Sequence, residues 1–256
     1  MRRERATPAR PASGRLHAVE RRDRTELWTE TEAAPPSVYG ERWTERDGRT
    51  LRAFDPTRSK LAAGLVRGWE GPLPEPGERW LYLGAASGTT ASHVADLVGP
   101  EGAVYALERS LRPFARLLAL AERWPSLLPV LADARNLVSY LALVPPVDGL
   151  YADVAQPDQI EIVLANAREF LTGPNAAVVV ALKTASMGRD APASGHLHRA
   201  EASLHDPLDL DPAVRLDPFH RGHFLIGGRA RPELFAERVR PSGRAPHAGS
   251  RAPRRR

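Results

Sequence analysis

Cysteine is absent from this chain of 256 residues. That excludes disulfides and thiolate metal sites, and it fits a reducing cytoplasm, the location expected here. Lysine is almost absent: only Lys60 and Lys183 stand among 36 lysines and arginines. No apolar run approaches the roughly 18–20 residues of a membrane span, so no membrane partner is expected. The opening MRRERATPAR has no apolar core of the kind a signal peptide needs. The motif G-x-x-x-x-G-K-[ST] is missing, as is the full G-x-G-x-x-G pattern, which disfavours a P-loop and an ordinary dinucleotide fingerprint. Neither G-x-S-x-G nor H-E-x-x-H occurs. His196 and His198 stand two apart in a poorly patterned region; they read as surface residues, and no metal site is expected.

Against these absences, one stretch is organised. Trp80–Leu83 is a short apolar run that suits a strand buried on both faces. Gly84-Ala85-Ala86-Ser87-Gly88 is a small-residue turn, and Thr89-Thr90 lead into the helical pattern Ala91–Leu97. Strand, tight turn and helix open a doubly wound nucleotide-binding sheet, with the helix start offering free N–H groups. The alternation then continues. Strands are expected at 103–107, 128–131, 147–152 and 176–182, and helices at 111–123, 136–143 and 159–170. This predicts an α/β fold around a parallel sheet. A helix is expected at 58–69, with Leu61, Leu65 and Trp69 on one face and Lys60 in its first turn. Another falls near 196–204, and the segments 214–217 and 223–226 form a closing hairpin.

Four parts follow. Residues 1–13 read as a disordered N-terminus, rich in arginine, proline and alanine. Residues 14–54 read as a small β unit of hairpins with a turn at Asp47-Gly48. Residues 55–230 form the α/β domain, and residues 231–256 a disordered basic tail. The net charge of +5 and pI near 10.0 favour a polyanion such as nucleic acid as partner. Part of that charge lies in the arginines of the tail.

Ligands of an open parallel sheet lie outside the carboxyl ends of its strands. Here those ends carry Gly84, Glu108, Asp133, Asp153 and Lys183. Glu108 is placed to accept from a ribose diol, and Asp133 to accept from an adenine amino group. The two lysines invite separate notice in a chain so biased to arginine. An ammonium is a compact charge whose pKa can be lowered, a role that a guanidinium does not fill.

Six segments together resemble the fibrillarin family, particularly its archaeal form. They are SVYGERW at 37–43, RSKLAAG at 58–64, LYLGAASGTT at 81–90, LADAR at 131–135, YADVAQPDQ at 151–159 and LDPFHRGH at 216–223. The resemblance implies a class I S-adenosylmethionine-dependent methyltransferase domain. That is a Rossmann-like fold with a mostly parallel seven-stranded sheet, preceded by the small β unit. It implies an RNA ribose 2′-O-methyltransferase for rRNA and tRNA, working with a box C/D guide RNA, a Nop-domain scaffold protein and a kink-turn-binding protein. By motif, Gly84, Ala86, Thr89 and Thr90 would line the methionine and ribose parts of S-adenosylmethionine, and Glu108 would hold the ribose hydroxyls. Asp133 and Ala134 would border the adenine beside Arg109, and Asp153 and Gln156 would lie near the methyl. Lys60, Asp153, Lys183 and His223 fall at the positions of a Lys-Asp-Lys-His catalytic set, with Asp153 and Lys183 orienting and deprotonating the hydroxyl. The chain departs from the family pattern at three places. Arg109 replaces a stacking Phe, Thr184-Ala185 replaces Ala-Arg, and Gly222 replaces an acid. Two other readings stand beside this one: a non-catalytic subunit of the same particle, and a small-molecule methyltransferase of the same fold.

Overall fold

The structure, a computed structural model, describes residues 14–20, 25–33, 36–188 and 190–239. The expected disordered N-terminus lies outside these residues.

The first unit is a four-stranded antiparallel sheet in the order β1-β2-β4-β3. Its strands are β1 (Leu16–Glu20), β2 (Thr25–Glu30), β3 (Trp43–Arg46) and β4 (Arg49–Ala53). Asp47 and Gly48 join β3 to β4 with φ of 53° and 72°. Two successive positive values are what a two-residue hairpin turn requires.

The second unit alternates strands and helices. After α1 (Lys60–Val66) come β5 (Arg79–Leu83), α2 (Thr89–Val98), β6 (Ala103–Glu108), α3 (Leu111–Ala121) and β7 (Leu127–Leu131). Then follow β8 (Gly149–Ala152), α4 (Gln159–Phe170), β9 (Ala177–Lys183), α5 (Ala193–Leu204), β10 (Leu208–Leu210), β11 (Val214–Arg215) and β12 (His223–Ala230). The sheet order is β10-β12-β9-β8-β5-β6-β7, with β11 paired to β12. Strands β5 to β9 run parallel, and β12 returns antiparallel to β9. Trp80–Leu83, Gly149–Ala152 and Ala177–Leu182 are buried throughout. Helices cover both faces of this sheet, so its strands carry continuous apolar runs rather than alternation.

Three boundaries differ from the sequence expectation. Residues 136–143 yield only a 3₁₀ turn at Leu137–Ser139, within a stretch that leaves Val138, Leu141 and Leu143 exposed. Strand β10, between α5 and the expected closing hairpin, is short enough to have escaped notice. The segment read as the start of a disordered tail forms a 3₁₀ helix at Pro232–Val239. Leu234 is buried in the core there, and Arg231 pairs with Asp209 at 3.0 Å. The remainder of the expected tail, 240–256, lies outside the described residues.

A buried polar seam joins the two units. Asp96 of α2 accepts from Arg52 Nε at 3.0 Å, Thr29 Oγ1 at 2.7 Å and Trp124 Nε1 at 2.7 Å. The Arg52 side chain is fully buried and also donates to Ser92 Oγ at 3.0 Å. Beside them, His93 stacks on Phe54 with ring centroids 4.2 Å apart. Removing Asp96 strands three buried donors without their acceptor, although Arg52 keeps Glu41 at 3.4 Å, at a cost of roughly 3–5 kcal/mol in all. Asp96→Ala should therefore lower the unfolding free energy by about that amount, read from the urea midpoint at unchanged slope. A loss below about 1 kcal/mol would mean that the seam does not fasten the units.

Candidate functional site

The crevice lies at the carboxyl edge of the parallel strands. Gly84, Ala86, Glu108, Arg109, Asp133, Ala134, Asp153 and Gln156 all line one cavity of about 280 Å³ there. Gly84 follows β5 with φ of 80°, and a Cβ on it would stand 2.6 Å from the Asp153 carbonyl oxygen. Only glycine lets the two strand ends approach so closely. Ala86 holds φ of 49°, a left-handed conformation that a side chain disfavours. Its N–H donates to Glu108 Oε2 at 3.0 Å, and the Ser110 N–H donates to Oε1 at 2.6 Å. Glu108 thus fixes the turn after β5 and the entry to α3. Each of its oxygens keeps a second lone pair for another donor.

The rim is pinned by charge. Arg109 reaches Asp133 at 3.1 Å, both side chains being exposed. Arg135 holds Asp158 through two bonds, of 2.8 and 2.5 Å, and donates to Gln156 Oε1 at 3.0 Å. That arginine keeps the Asp158 carboxyl below its ordinary range.

Ser59 caps α1, accepting the Ala62 N–H at 3.3 Å, and takes a hydrogen bond from Thr90 Oγ1 at 3.1 Å. The starts of α1 and α2 are thereby tied together. Lys60, the first residue of α1, donates to both oxygens of Asp153, at 2.8 and 2.6 Å. Both side chains are about one fifth exposed. Of the four residues of the expected catalytic set, Asp153 and Lys60 are thus directly paired. Among the described residues no carboxylate lies within ion-pair distance of the Lys183 ammonium. Lys183 ends β9 and faces His223 directly across the antiparallel ladder. Residues directly opposite share a face of the sheet.

His223 Nδ1 lies 2.9 Å from the Arg221 carbonyl. A carbonyl only accepts, so Nδ1 carries the proton and Nε2 keeps its lone pair. Burial, with Lys60 nearby, pushes the His223 pKa down, so the ring is neutral at pH 7.

Two of the departures from the family pattern touch. Thr184 donates to the Gly222 carbonyl through its amide at 3.2 Å and its hydroxyl at 2.7 Å. At φ of 68°, Gly222 adopts a backbone that other residues rarely take.

Three contributors were not picked out from the sequence. Ser59 is one; the S-x-x cap before an amphipathic run was its signal. His220 is another, with its ring 6.1 Å from that of His223 and its Nε2 3.0 Å from the Pro56 carbonyl. The third is Gln159. It is fully buried, accepts the Lys183 N–H at 3.1 Å and donates to the Lys183 carbonyl at 3.2 Å. It stood within a quoted motif with no sign of where its side chain leads.

Comparison with known proteins shows what the chain as a whole is similar to. The fibrillarin family model matches residues 11–232. The Aeropyrum pernix protein named fibrillarin-like rRNA/tRNA 2′-O-methyltransferase is 44% identical over 191 residues, covering 74% of this chain and 81% of its own. A crystal structure of Aeropyrum pernix fibrillarin with natively bound S-adenosyl-L-methionine superposes with a TM-score of 0.76 at 39% identity, covering 85% of this chain and 96% of that one. A fibrillarin/Nop5p complex superposes at 0.74 with 37% identity, covering 85% and 97%. The Eremothecium gossypii rRNA 2′-O-methyltransferase fibrillarin is 38% identical over 218 residues. The match takes in 79% of this chain but only 66% of that relative's length. With most of its length, residues 11–232, matched by the family model, the chain belongs to the fibrillarin family.

Proposed function

We propose that this chain is an S-adenosylmethionine-dependent RNA ribose 2′-O-methyltransferase acting on rRNA and tRNA. It works within a cytoplasmic guide ribonucleoprotein containing a box C/D RNA, a Nop-domain scaffold protein and a kink-turn-binding protein. We read the particle as archaeal-type, a reading supported by the 44% identity to the Aeropyrum pernix protein, while eukaryotic relatives match at up to 40%. The observation that carries the reading is the juxtaposition at one crevice edge: Asp153 clamped by Lys60, with Lys183 and His223 opposite each other.

The cavity suits the cofactor. Glu108 offers two oxygens already oriented by backbone donors, and Asp133, Ala134, Asp153 and Gln156 line the same cavity. S-adenosylmethionine supplies an electrophilic methyl group when bound. The chain must then hold a ribose 2′-hydroxyl in line with that methyl and accept its proton as the C–O bond forms. Asp153 orients the hydroxyl by accepting its hydrogen bond, and Lys60 fixes the carboxylate in place. Lys60 also steadies negative charge developing on the oxygen. The proton passes from Asp153 to the free Nε2 of neutral His223, with Lys183 opposite it, and on to water.

A polyanionic substrate is supported by a second cavity, of about 460 Å³, next to the turn after β5. Arg58, Arg116 and Arg123 line it with Tyr39, Ser87 and Thr89, and no carboxylate does. A free small molecule would not call for this arginine-rich flank.

Three outcomes test the reading. Glu108→Ala should weaken S-adenosylmethionine binding in calorimetry by roughly 1–3 kcal/mol, because the ribose diol loses its acceptor. An unchanged dissociation constant would remove Glu108 from the site. Lys183→Arg should bind cofactor and RNA nearly normally. Its single-turnover methyl transfer on a guided RNA should slow by about 10²–10⁴-fold, since a guanidinium does not release its proton near neutrality. A rate within about tenfold of wild type would leave Lys183 as a simple charge. The step in the pH–rate profile that His223→Ala abolishes should lie below the ordinary histidine value of 6.5, because His223 resists protonation. A His223-dependent step centred above pH 7 would contradict a neutral His223.

A further inference from the structure

We infer that Gln159 is a positioning residue for Lys183, standing in for the strand that β9 lacks at its final residue. The inference rests on the catalytic role proposed for Lys183.

Strand β9 has β12 on one side and β8 on the other. On the β12 side, Thr184 bonds with Gly222. Hydrogen-bonded and non-hydrogen-bonded pairs alternate along an antiparallel ladder. Lys183 and His223, one step earlier, are therefore a non-hydrogen-bonded pair. The peptide groups of Lys183 must point away from β12, towards β8. The Ala177 N–H confirms this phase, since it reaches Asp148 on the β8 side and lies an even number of residues away. But β8 has already ended: its last residue, Ala152, pairs with Val180. Lys183 extends three residues past that pairing, with a partly buried N–H and C=O aimed beyond the end of β8. A buried unpaired peptide group costs free energy comparable to a lost hydrogen bond.

Gln159 fills that place. Its carboxamide presents one acceptor and one donor in a plane, as a neighbouring peptide would, and it takes both Lys183 groups, at 3.1 and 3.2 Å. It is the first residue of α4, directly after the loop that carries Asp153 and Gln156. One side chain thus ties the loop behind the carboxylate to the backbone under the lysine. The same fixing holds Lys183 opposite His223 in a non-hydrogen-bonded pair, whose Cα atoms come within about 4.5 Å. Glutamine has the required reach and both hydrogen-bonding groups. Leucine offers neither group, and in ionised glutamate the donor facing the Lys183 carbonyl becomes a second acceptor.

The test is single-turnover methyl transfer to a guided RNA in the assembled particle. Gln159→Leu and Gln159→Glu are measured alone and in a Lys183→Met background. A displacement of about 1 Å at a reacting group costs on the order of 10²-fold in rate. The expected result is a rate loss of roughly 10- to 100-fold for either single variant, with the S-adenosylmethionine dissociation constant and the RNA KM within about threefold. In the Lys183→Met background the same change should cost less than about twofold, because the residue it positions is gone. Gln159→Glu keeps the side chain's size and one acceptor, so it reports even where Gln159→Leu does not fold. An equal further loss in both backgrounds would overturn the inference, as it would show a general structural defect. So would a near-normal rate in both Gln159 variants while Lys183→Met is slow. A normal rate in Lys183→Met would instead remove the role of Lys183 itself, and this inference with it.

Discussion

The carboxyl edge of a parallel sheet is a row of peptide groups that have run out of neighbours. Each must find a partner or stay in water, because a buried and unpaired peptide is too costly to keep. In this protein several of the partners are side chains. Glu108 takes the amides of Ala86 and Ser110, and Gln159 takes both peptide groups of Lys183. Ser59 does the same service at the start of α1. The crevice is what remains once these demands are met, and its chemistry is carried by groups that the same contacts hold still.

Charge is arranged in two ways. In the seam between the units, Arg52 and Asp96 are fully enclosed and surrounded by further donors, so they act as a fastening. In the crevice, Lys60 and Asp153 meet while still partly open to solvent. Lys183 stays out of that pair, and His223 stays neutral beside it. The adjoining flank carries Arg58, Arg116 and Arg123, so the working edge is bordered by positive charge.

Much of this was legible in the sequence because it depends on local pattern. Apolar runs, the small-residue turn and the ionisable strand ends mark the sheet and its working edge. The two lysines stood out against an arginine-rich background, and both lie at the crevice. What could not be read is long-range. Nothing in YADVAQPDQ tells that Asp153 meets Lys60, 93 residues earlier, rather than Lys183. Nor does a glutamine at a helix start announce that it bonds to a strand 24 residues later. The 3₁₀ helix at Pro232–Val239 was hidden by its arginine- and proline-rich surroundings, with Leu234 its main apolar anchor.

The central claim is that this crevice moves a methyl group to a ribose oxygen. The most direct measurement supplies labelled S-adenosylmethionine to the assembled particle with two guided RNAs. One is intact, and the other has 2′-deoxyribose at the target nucleotide alone. The account predicts one labelled methyl per intact RNA, at that nucleotide's 2′-oxygen, and none on the deoxy substrate. Equal labelling of both RNAs, or a methyl found on a base, would contradict it.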